Sequence, residues 1–177
     1  APAELLDKRV GKHPVVIVGG GITGLTLACG LAKLGVPAVL LDEDNTVGVK
    51  GASSRGICYT QKSLEIFQRY GIFDRIARKG VEWSVGRTFA GHDEVFSFDL
   101  KAQSSFNLSQ QPAFINIQQF YIEGYLVERI AELGRDRPGV ELRWSSRVTA
   151  FEQQGSSALL TIQTPQGSYQ IEAQHVI

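Results

Sequence analysis

Three glycines near the start of the chain have the spacing of a dinucleotide-binding loop, G-x-G-x-x-G, at Gly19, Gly21 and Gly24. The first glycine of such a loop permits a sharp strand-to-helix turn, the second lets the backbone approach a pyrophosphate, and the third lets the helix pack closely on the strand. Because glycine triplets also occur in ordinary turns, the chemical interpretation depends on the elements that flank the loop.

The elements on either side of this loop are those that a phosphate site requires. Apolar patterning predicts a strand at 15–18 and a helix at 22–34, so the free N–H groups of Ile22 and Thr23 would face the phosphates. A second apolar strand ends in Asp42, about 20 residues after the loop, where an acid hydrogen-bonds a ribose hydroxyl. The sequence therefore predicts a right-handed βαβ unit that holds a dinucleotide, and the alternative is a glycine-rich structural turn.

The composition is that of a soluble globular protein. It has 43% hydrophobic residues, 20% charged residues and zero formal net charge, so neither nucleic acid nor membrane is expected as a partner. No apolar run could span a bilayer, and no secretory signal opens the chain. Cys29 and Cys58 form no disulfide framework and are predicted to be buried free thiols in the cytoplasm. The three histidines lack metal-ligand spacing, so no metal site is predicted. We expect solvated helix ends and strand faces for four arginines of the second half: Arg135, Arg137, Arg143 and Arg147.

Beyond the βαβ unit, the order of elements departs from that of a nicotinamide-binding domain. Two short helices precede strands at 82–89 and 95–100 that read as a hairpin, and a polar loop at 101–113 leads to a helix that begins near Gln119. The tail predicts four strands, the last three of them an antiparallel meander. A nicotinamide domain instead alternates strands and helices through two βαβαβ halves, so this order argues against a simple dehydrogenase.

The two ends of the chain predict a piece of a longer protein. The chain contains no methionine, and the apolar run 175–177 is interpreted as the start of a further strand. Residues 1–13 are polar and are predicted to be a loose leader. The alternative is a naturally short chain with a trimmed start.

These motifs together resemble the N-terminal part of the FAD-dependent aromatic-ring monooxygenases, the phenol and hydroxybenzoate hydroxylase family. The first motif alone is shared by many oxidoreductases, whereas the combination is more specific. Four segments match in order: 15–24 with Asp42, 53–57 with 63–67, 116–123, and the strand that contains Val148.

The resemblance implies a set of cofactor contacts in addition to the glycine loop. Asp42 would bind the adenosine ribose, although this family more often has glutamate there and Glu43 could substitute. Arg55 would hold a pyrophosphate or ribose oxygen through its forked donors, the alternative being a surface arginine. Gln119 would hydrogen-bond the flavin's linker or pyrophosphate, or else serve only as a polar helix start. Val148 would touch the adenine through its backbone, or else belong to the core.

The resemblance also implies the architecture and the chemistry. An α/β, Rossmann-like FAD-binding domain with an antiparallel meander would comprise residues 1–81 and 114–177, and the hairpin and loop at 82–113 would belong to a substrate domain. FAD, transiently reduced by NAD(P)H, would use O2 to hydroxylate a small aromatic, usually phenolic, substrate. No catalytic side chain and no metal is assigned.

Three alternatives remain open beside this function. They are an NAD(P)-dependent Rossmann dehydrogenase, a related flavoprotein such as a reductase or an epoxidase, and a non-catalytic nucleotide-binding module. The family's later flavin-contact motifs would lie beyond Ile177, so the chain alone is expected to bind FAD weakly and to lack turnover.

Overall fold

A computed structural model describes residues 2–47, 56–102, 109–136 and 139–177. The chain divides into two compact units, which we call the sheet unit (Ala1–Ala52 with Glu123–Ile177) and the hairpin unit (Ser53–Ile122). In chain order the helices and strands are α1 (Ala3–Asp7), β1 (Gly11–Val18), α2 (Ile22–Leu34), β2 (Ala38–Leu41), β3 (Cys58–Thr60), α3 (Gln61–Tyr70), α4 (Phe73–Lys79), β4 (Val81–Trp83), β5 (Val85–Ala90), β6 (Asp93–Asp99), β7 (Phe114–Asn116), α5 (Gln119–Leu133), β8 (Val140–Arg143), β9 (Arg147–Gln154), β10 (Ser157–Thr164) and β11 (Gly167–Val176).

The sheet unit is built on a six-stranded sheet in the order β8-β2-β1-β11-β10-β9. The first four of these strands run parallel, whereas β9, β10 and β11 form an antiparallel meander. All four residues of β2 are buried, as expected for a parallel strand that is covered on both faces. The predicted α/β fold is therefore confirmed, with β1, α2 and β2 as its βαβ unit.

Helix α2 packs on the sheet through mainly small side chains, which lets its backbone lie close to the strands. Leu25, Ala28, Cys29 and Ala32 are buried, and Gly35 ends the helix with φ 71°, a left-handed conformation that glycine adopts without strain. A separate apolar cluster joins the meander to the parallel strands. Its buried members are Val16, Val39, Leu41, Leu160, Ile162, Tyr169, Ile171 and Ala173.

Two structural expectations for the chain ends, a loose leader at 1–13 and a new strand that starts at 175–177, are wrong. Residues 1–13 are not a loose leader, because they include α1 and the start of β1, and Leu5 packs against the apolar cluster. Residues 175–177 do not start a further strand. His175 lies beside Val15 as part of β11, and Ile177 continues the same pairing through backbone hydrogen bonds to Val16 and Val18. One strand thus leaves the meander and enters the parallel sheet.

One of the four arginines also departs from the expectation of a solvated position. Arg143 is buried, with 7% of its surface exposed, because acidic and aromatic side chains surround its guanidinium. Arg135 and Arg147 are exposed as predicted, and Arg137 lies outside the described residues.

The hairpin unit contains a three-stranded antiparallel sheet, β3-β7-β4, and the predicted hairpin, β5-β6. The first predicted hairpin strand divides at Ser84, because β4 pairs with β7 whereas β5 pairs with β6. Helices α3 and α4 bury Leu64, Phe67 and Ile76. The three-residue strands β3 and β7 were not predicted, since segments this short give no periodicity.

Strand alternation in β3 decides the exposure of one thiol. Tyr59 is buried, whereas Cys58 and Thr60 on either side of it are exposed. The prediction of a buried thiol is therefore confirmed for Cys29 and wrong for Cys58. Within the described ranges, no helix combines the length and the apolar character that crossing a membrane requires.

Candidate dinucleotide-binding site

The glycine loop between β1 and α2 has a conformation that depends on its glycines. Gly19 has φ 117°, a value that side-chain-bearing residues rarely adopt. A Cβ on Gly24 would collide with the carbonyl oxygen of Gly19, so only glycine lets the helix approach the turn this closely. A Cβ on Gly21 would instead point into open space, with no described atom within 4 Å. The loop therefore leaves room for a ligand beside Gly21.

The start of α2 is an electropositive surface suited to phosphate. Among the described residues, no side chain caps its N-terminus at Gly21, and its first turn contains no acid. The first backbone hydrogen bond of the helix runs from the Leu25 N–H to the Gly21 carbonyl at 2.9 Å. The N–H groups of Ile22 and Thr23 precede that bond, so they point out of the helix end, where the macrodipole favours an anion.

Asp42, directly after β2, is held in place by backbone hydrogen bonds. Its Oδ2 accepts from the Gly20 N–H at 2.5 Å, and its Oδ1 accepts from the Asp44 N–H at 2.8 Å. An ionised carboxylate offers about four acceptor positions, of which the described residues occupy two. The carboxylate is thus oriented by the glycine loop itself and keeps the capacity to bind a sugar.

A cleft of about 240 Å³ lies at the carboxyl ends of β1 and β2, beside the start of β9. It brings together four of the residues predicted from the sequence, namely Gly19, Asp42, Glu43 and Val148. The carboxylate of Glu43 lies 3.6 Å from Nε of Arg147, and both side chains are exposed. Val148 also packs against the apolar cluster, so the same residue lines the cleft and contributes to the core. The remaining lining residues are Val18, Leu41, Ser146 and Arg147.

The segment that follows β8 supplies site residues that the sequence analysis missed. A Cβ on Gly20 would lie 2.8 Å from the Trp144 ring, which therefore covers the loop next to Asp42. The Ser146 N–H donates to the Asp42 carbonyl at 2.7 Å. Parallel strands bring their carboxyl ends to one edge of a sheet, so recognition of β8 as a parallel neighbour of β2 would have pointed to Trp144 and Ser146.

Two predicted contacts belong to the hairpin unit or fall outside the described residues. Gln119 is the first residue of α5, and its Oε1 lies 3.3 Å from the position of a Cβ on Gly56. Arg55 lies outside the described residues. In the part of the chain that the structure describes, no three His, Cys, Asp or Glu side chains are grouped as metal ligands.

Comparison with known proteins identifies the family of this fold. A family model described as FAD binding domain matches residues 12–177. Para-nitrophenol 4-monooxygenase of Pseudomonas sp. (strain WBC-3) is 26% identical over 162 residues, which cover 90% of this chain and 38% of that protein. The 3-(3-hydroxy-phenyl)propionate/3-hydroxycinnamic acid hydroxylase of Mycolicibacterium smegmatis (strain ATCC 700084 / mc(2)155) is 26% identical over 168 residues, 94% of this chain and 28% of that protein.

Solved structures give the same result. The crystal structure of p-nitrophenol 4-monooxygenase PnpA from Pseudomonas putida DLL-E4 superimposes with a TM-score of 0.82 and 26% identity, covering 95% of this chain and 40% of that chain. The flavin-dependent monooxygenase PieE, in complex with FAD and substrate, gives a TM-score of 0.79 and 25% identity, covering 93% and 29%. The chain spans less than half the length of each of these proteins. The resemblance predicted from the sequence is confirmed: the chain belongs to the family of FAD-binding domains, and its cofactor is FAD.

Proposed function

We propose that this chain is the FAD-binding part of a flavin-dependent monooxygenase that hydroxylates a small aromatic substrate, using NAD(P)H and O2. The observation that carries the proposal is the match of residues 12–177, glycine loop and meander included, to the FAD binding domain. Relatives support the substrate class, since one is named for para-nitrophenol and another for 3-hydroxycinnamic acid. Cytoplasmic location accords with Cys29 and Cys58 being free.

The described residues fit the ADP half of FAD. Gly21 leaves space for the pyrophosphate beside the start of α2, where Ile22 and Thr23 offer N–H donors and no described side chain caps the helix. Asp42 keeps two acceptor positions for ribose hydroxyls. When bound, the flavin would supply the redox chemistry, namely hydride acceptance from NAD(P)H and activation of O2. The work of this chain is therefore to bind and orient the cofactor rather than to act as nucleophile or base.

Four further contacts belong to the proposal. Val148 would touch the adenine through its backbone, and Glu43 would support or replace Asp42 at the ribose. Arg55 would hold a pyrophosphate or ribose oxygen, and Gln119 would hydrogen-bond the flavin's linker or pyrophosphate. The position of Val148 and Glu43 in the 240 Å³ cleft supports the first two assignments.

The division of labour along the chain is also a proposal. Residues 1–81 and 114–177 would form the FAD-binding domain, and the hairpin and loop at 82–113 would begin a substrate domain. Exposed aromatic side chains on the hairpin support this assignment, because a two-stranded hairpin is marginally stable alone and gains stability from covering strands. These side chains are Phe89, Phe96 and Phe98, at 55%, 59% and 38% exposure.

Turnover assays of the whole flavoprotein test the proposed activity. NAD(P)H oxidation is measured with and without a panel of substituted phenols, and the aromatic product is quantified against the reductant consumed. We expect phenol-stimulated oxidation and one hydroxyl group added per NAD(P)H. Oxidation that no aromatic compound stimulates, or a colourless protein that binds NAD instead of flavin, would contradict the proposal in favour of a reductase or a dehydrogenase. The 177-residue chain alone is expected to show no turnover.

A further inference from the structure

A buried group of charged side chains lies where α1 meets the sheet. Glu4 and Arg143 are 8% and 7% exposed, and Oε1 of Glu4 lies 3.1 Å from Nη2 of Arg143. The same Glu4 oxygen lies 2.8 Å from Nε2 of His13. Arg143 also donates to both carboxylate oxygens of Glu141, at 2.9 and 2.8 Å, and to the hydroxyl of Tyr169 at 3.4 Å. Buried ions are costly unless they are paired in this way, so the group has one favourable geometry.

Glu4, the residue that α1 contributes to this group, lies outside the residues that the family model matches. The FAD-binding family model matches residues 12–177, whereas α1 ends at Asp7. Glu4 also lies directly over Gly11, where a Cβ would collide with its side chain. The close fit of Glu4 onto β1 is therefore a feature of this chain beyond the matched domain.

The backbone of Arg143 connects this group to the cleft. Its carbonyl accepts the Asp42 N–H at 3.1 Å. Next along the chain, the Ser145 N–H donates to the Asp44 carbonyl at 2.8 Å, and the Ser146 N–H donates to the Asp42 carbonyl at 2.7 Å. Three backbone hydrogen bonds thus join residues 143–146 to the segment that carries the ribose-binding carboxylate.

We infer that α1 is a positioning element for the adenosine end of FAD, acting through Glu4 and Arg143 on Asp42. The inference rests on the proposed role of Asp42 at the ribose. With Glu4 in place, the guanidinium is fixed between two acids and holds the end of β8 in register with β2. Without Glu4, Arg143 keeps the Tyr169 hydroxyl and Glu141, whose side chain is 54% exposed, and water enters the site. The carboxylate of Asp42 then samples more orientations, and productive binding becomes rarer.

A double-mutant cycle on FAD affinity distinguishes this positioning role from a general loss of stability. Apoprotein is titrated with FAD by flavin fluorescence, as wild type, Glu4→Gln, Asp42→Ala and the double variant. We expect Glu4→Gln to raise the Kd about fivefold or more in the wild-type background. In the Asp42→Ala background the same change should alter the Kd less than about twofold, because the group on which it acts is gone. The matched control is Glu172→Gln, which removes a partly exposed ion pair with Lys12 in the same sheet and should leave the Kd unchanged.

The outcomes separate the two hypotheses. Equal factors in both backgrounds, or no effect of Glu4→Gln, would overturn the positioning role and leave the FAD site intact. An Asp42→Ala variant with wild-type affinity would overturn both, since the ribose contact itself would be wrong. Deletion of residues 1–8 provides a second variant in case Glu4→Gln does not fold. The deletion removes α1 and exposes the Arg143 guanidinium to water, whereas Glu4→Gln keeps α1 over a guanidinium that has lost one charged partner. The same non-additivity with Asp42→Ala is expected for the deletion.

Discussion

Gly21→Ala is expected to separate the folding role of the glycine loop from its cofactor role. Gly21 has φ −76° and ψ −178°, an extended conformation open to any residue, and a Cβ there would meet no described atom within 4 Å. A Cβ on Gly24 would collide with the Gly19 carbonyl oxygen and lie 3.3 Å from Cγ2 of Ile17. Alanine should therefore be tolerated by the fold at position 21 and not at position 24.

The expected magnitudes follow from these geometries. At the N-cap, alanine destabilises the folded state by about 0.5–1 kcal/mol relative to glycine. Alanine also restricts the unfolded chain, which stabilises the folded state by about 0.4–1 kcal/mol. Gly21→Ala should thus leave the free energy of unfolding within about 1 kcal/mol of wild type, a Tm change under about 4 °C. Overpacking at Gly24→Ala should cost about 1–3 kcal/mol. The added methyl at position 21 occupies space that the pyrophosphate needs, so FAD affinity should fall about tenfold or more, equivalent to about 1.4 kcal/mol.

Two measurements on each apoprotein test this pair of variants. Thermal unfolding by circular dichroism gives the Tm, and titration by flavin fluorescence gives the FAD Kd. Gly21→Ala should keep its Tm and lose affinity, whereas Gly24→Ala should lose Tm. Wild-type affinity in Gly21→Ala would refute the approach of the pyrophosphate to this residue. A Tm loss equal to that of Gly24→Ala would show that Gly21 serves the fold.

Three further predictions concern single side chains. Asp42→Ala and Arg55→Ala should each weaken FAD binding, measured by flavin titration of the full-length protein, and unchanged affinity would remove that residue from the site. Cys58 should react with a thiol reagent in the native protein, whereas Cys29 should react only on unfolding, because burial raises the pKa of the Cys29 thiol to about 11. Rapid reaction of both thiols in the native protein would contradict the burial of Cys29. Burial raises the pKa of Glu4, but hydrogen bonds from His13, its own backbone and Arg143 outweigh that and hold the pKa below the ordinary value of 4.5. A carboxyl with a lowered pKa stabilises the fold above its unfolded-state pKa and loses that contribution as pH falls. In Glu4→Gln the Tm should therefore fall less steeply below about pH 4.5 than in the wild type. An unchanged pH dependence of the Tm in this range would contradict the pairing of Glu4 with His13 and Arg143.

Local patterns predicted most of the fold, because the signals lie within single segments. The glycine spacing, the helical run to Leu34 and the turns of the meander each specify their element without reference to distant residues. For the same reason Gly19 and Asp42 could be placed near one another, since parallel strands bring their carboxyl ends to one edge, whereas Val148 was assigned only from the family resemblance.

The features that escaped prediction depend on partners far away in sequence. Helix α1 has five residues, too few for periodicity, and depends on tertiary contacts for its stability. Arg143 is polar by residue type and is buried only because Glu4 and Tyr169 surround it. The end of β11 pairs with β1 near the other end of the chain, a partner that alternation in its own sequence cannot specify.

Backbone amide chemical shifts of the isotope-labelled 177-residue chain, recorded during an FAD titration, test most directly that the β1–α2 loop and the cleft beside it bind the ADP half of FAD. The largest changes are predicted at residues 19–24, 42–44 and 146–148, with ADP reproducing them and smaller changes elsewhere in the sheet unit. FAD binding that leaves these amides unchanged, or a response to FAD that ADP does not share, would contradict the assignment of the cofactor to this loop.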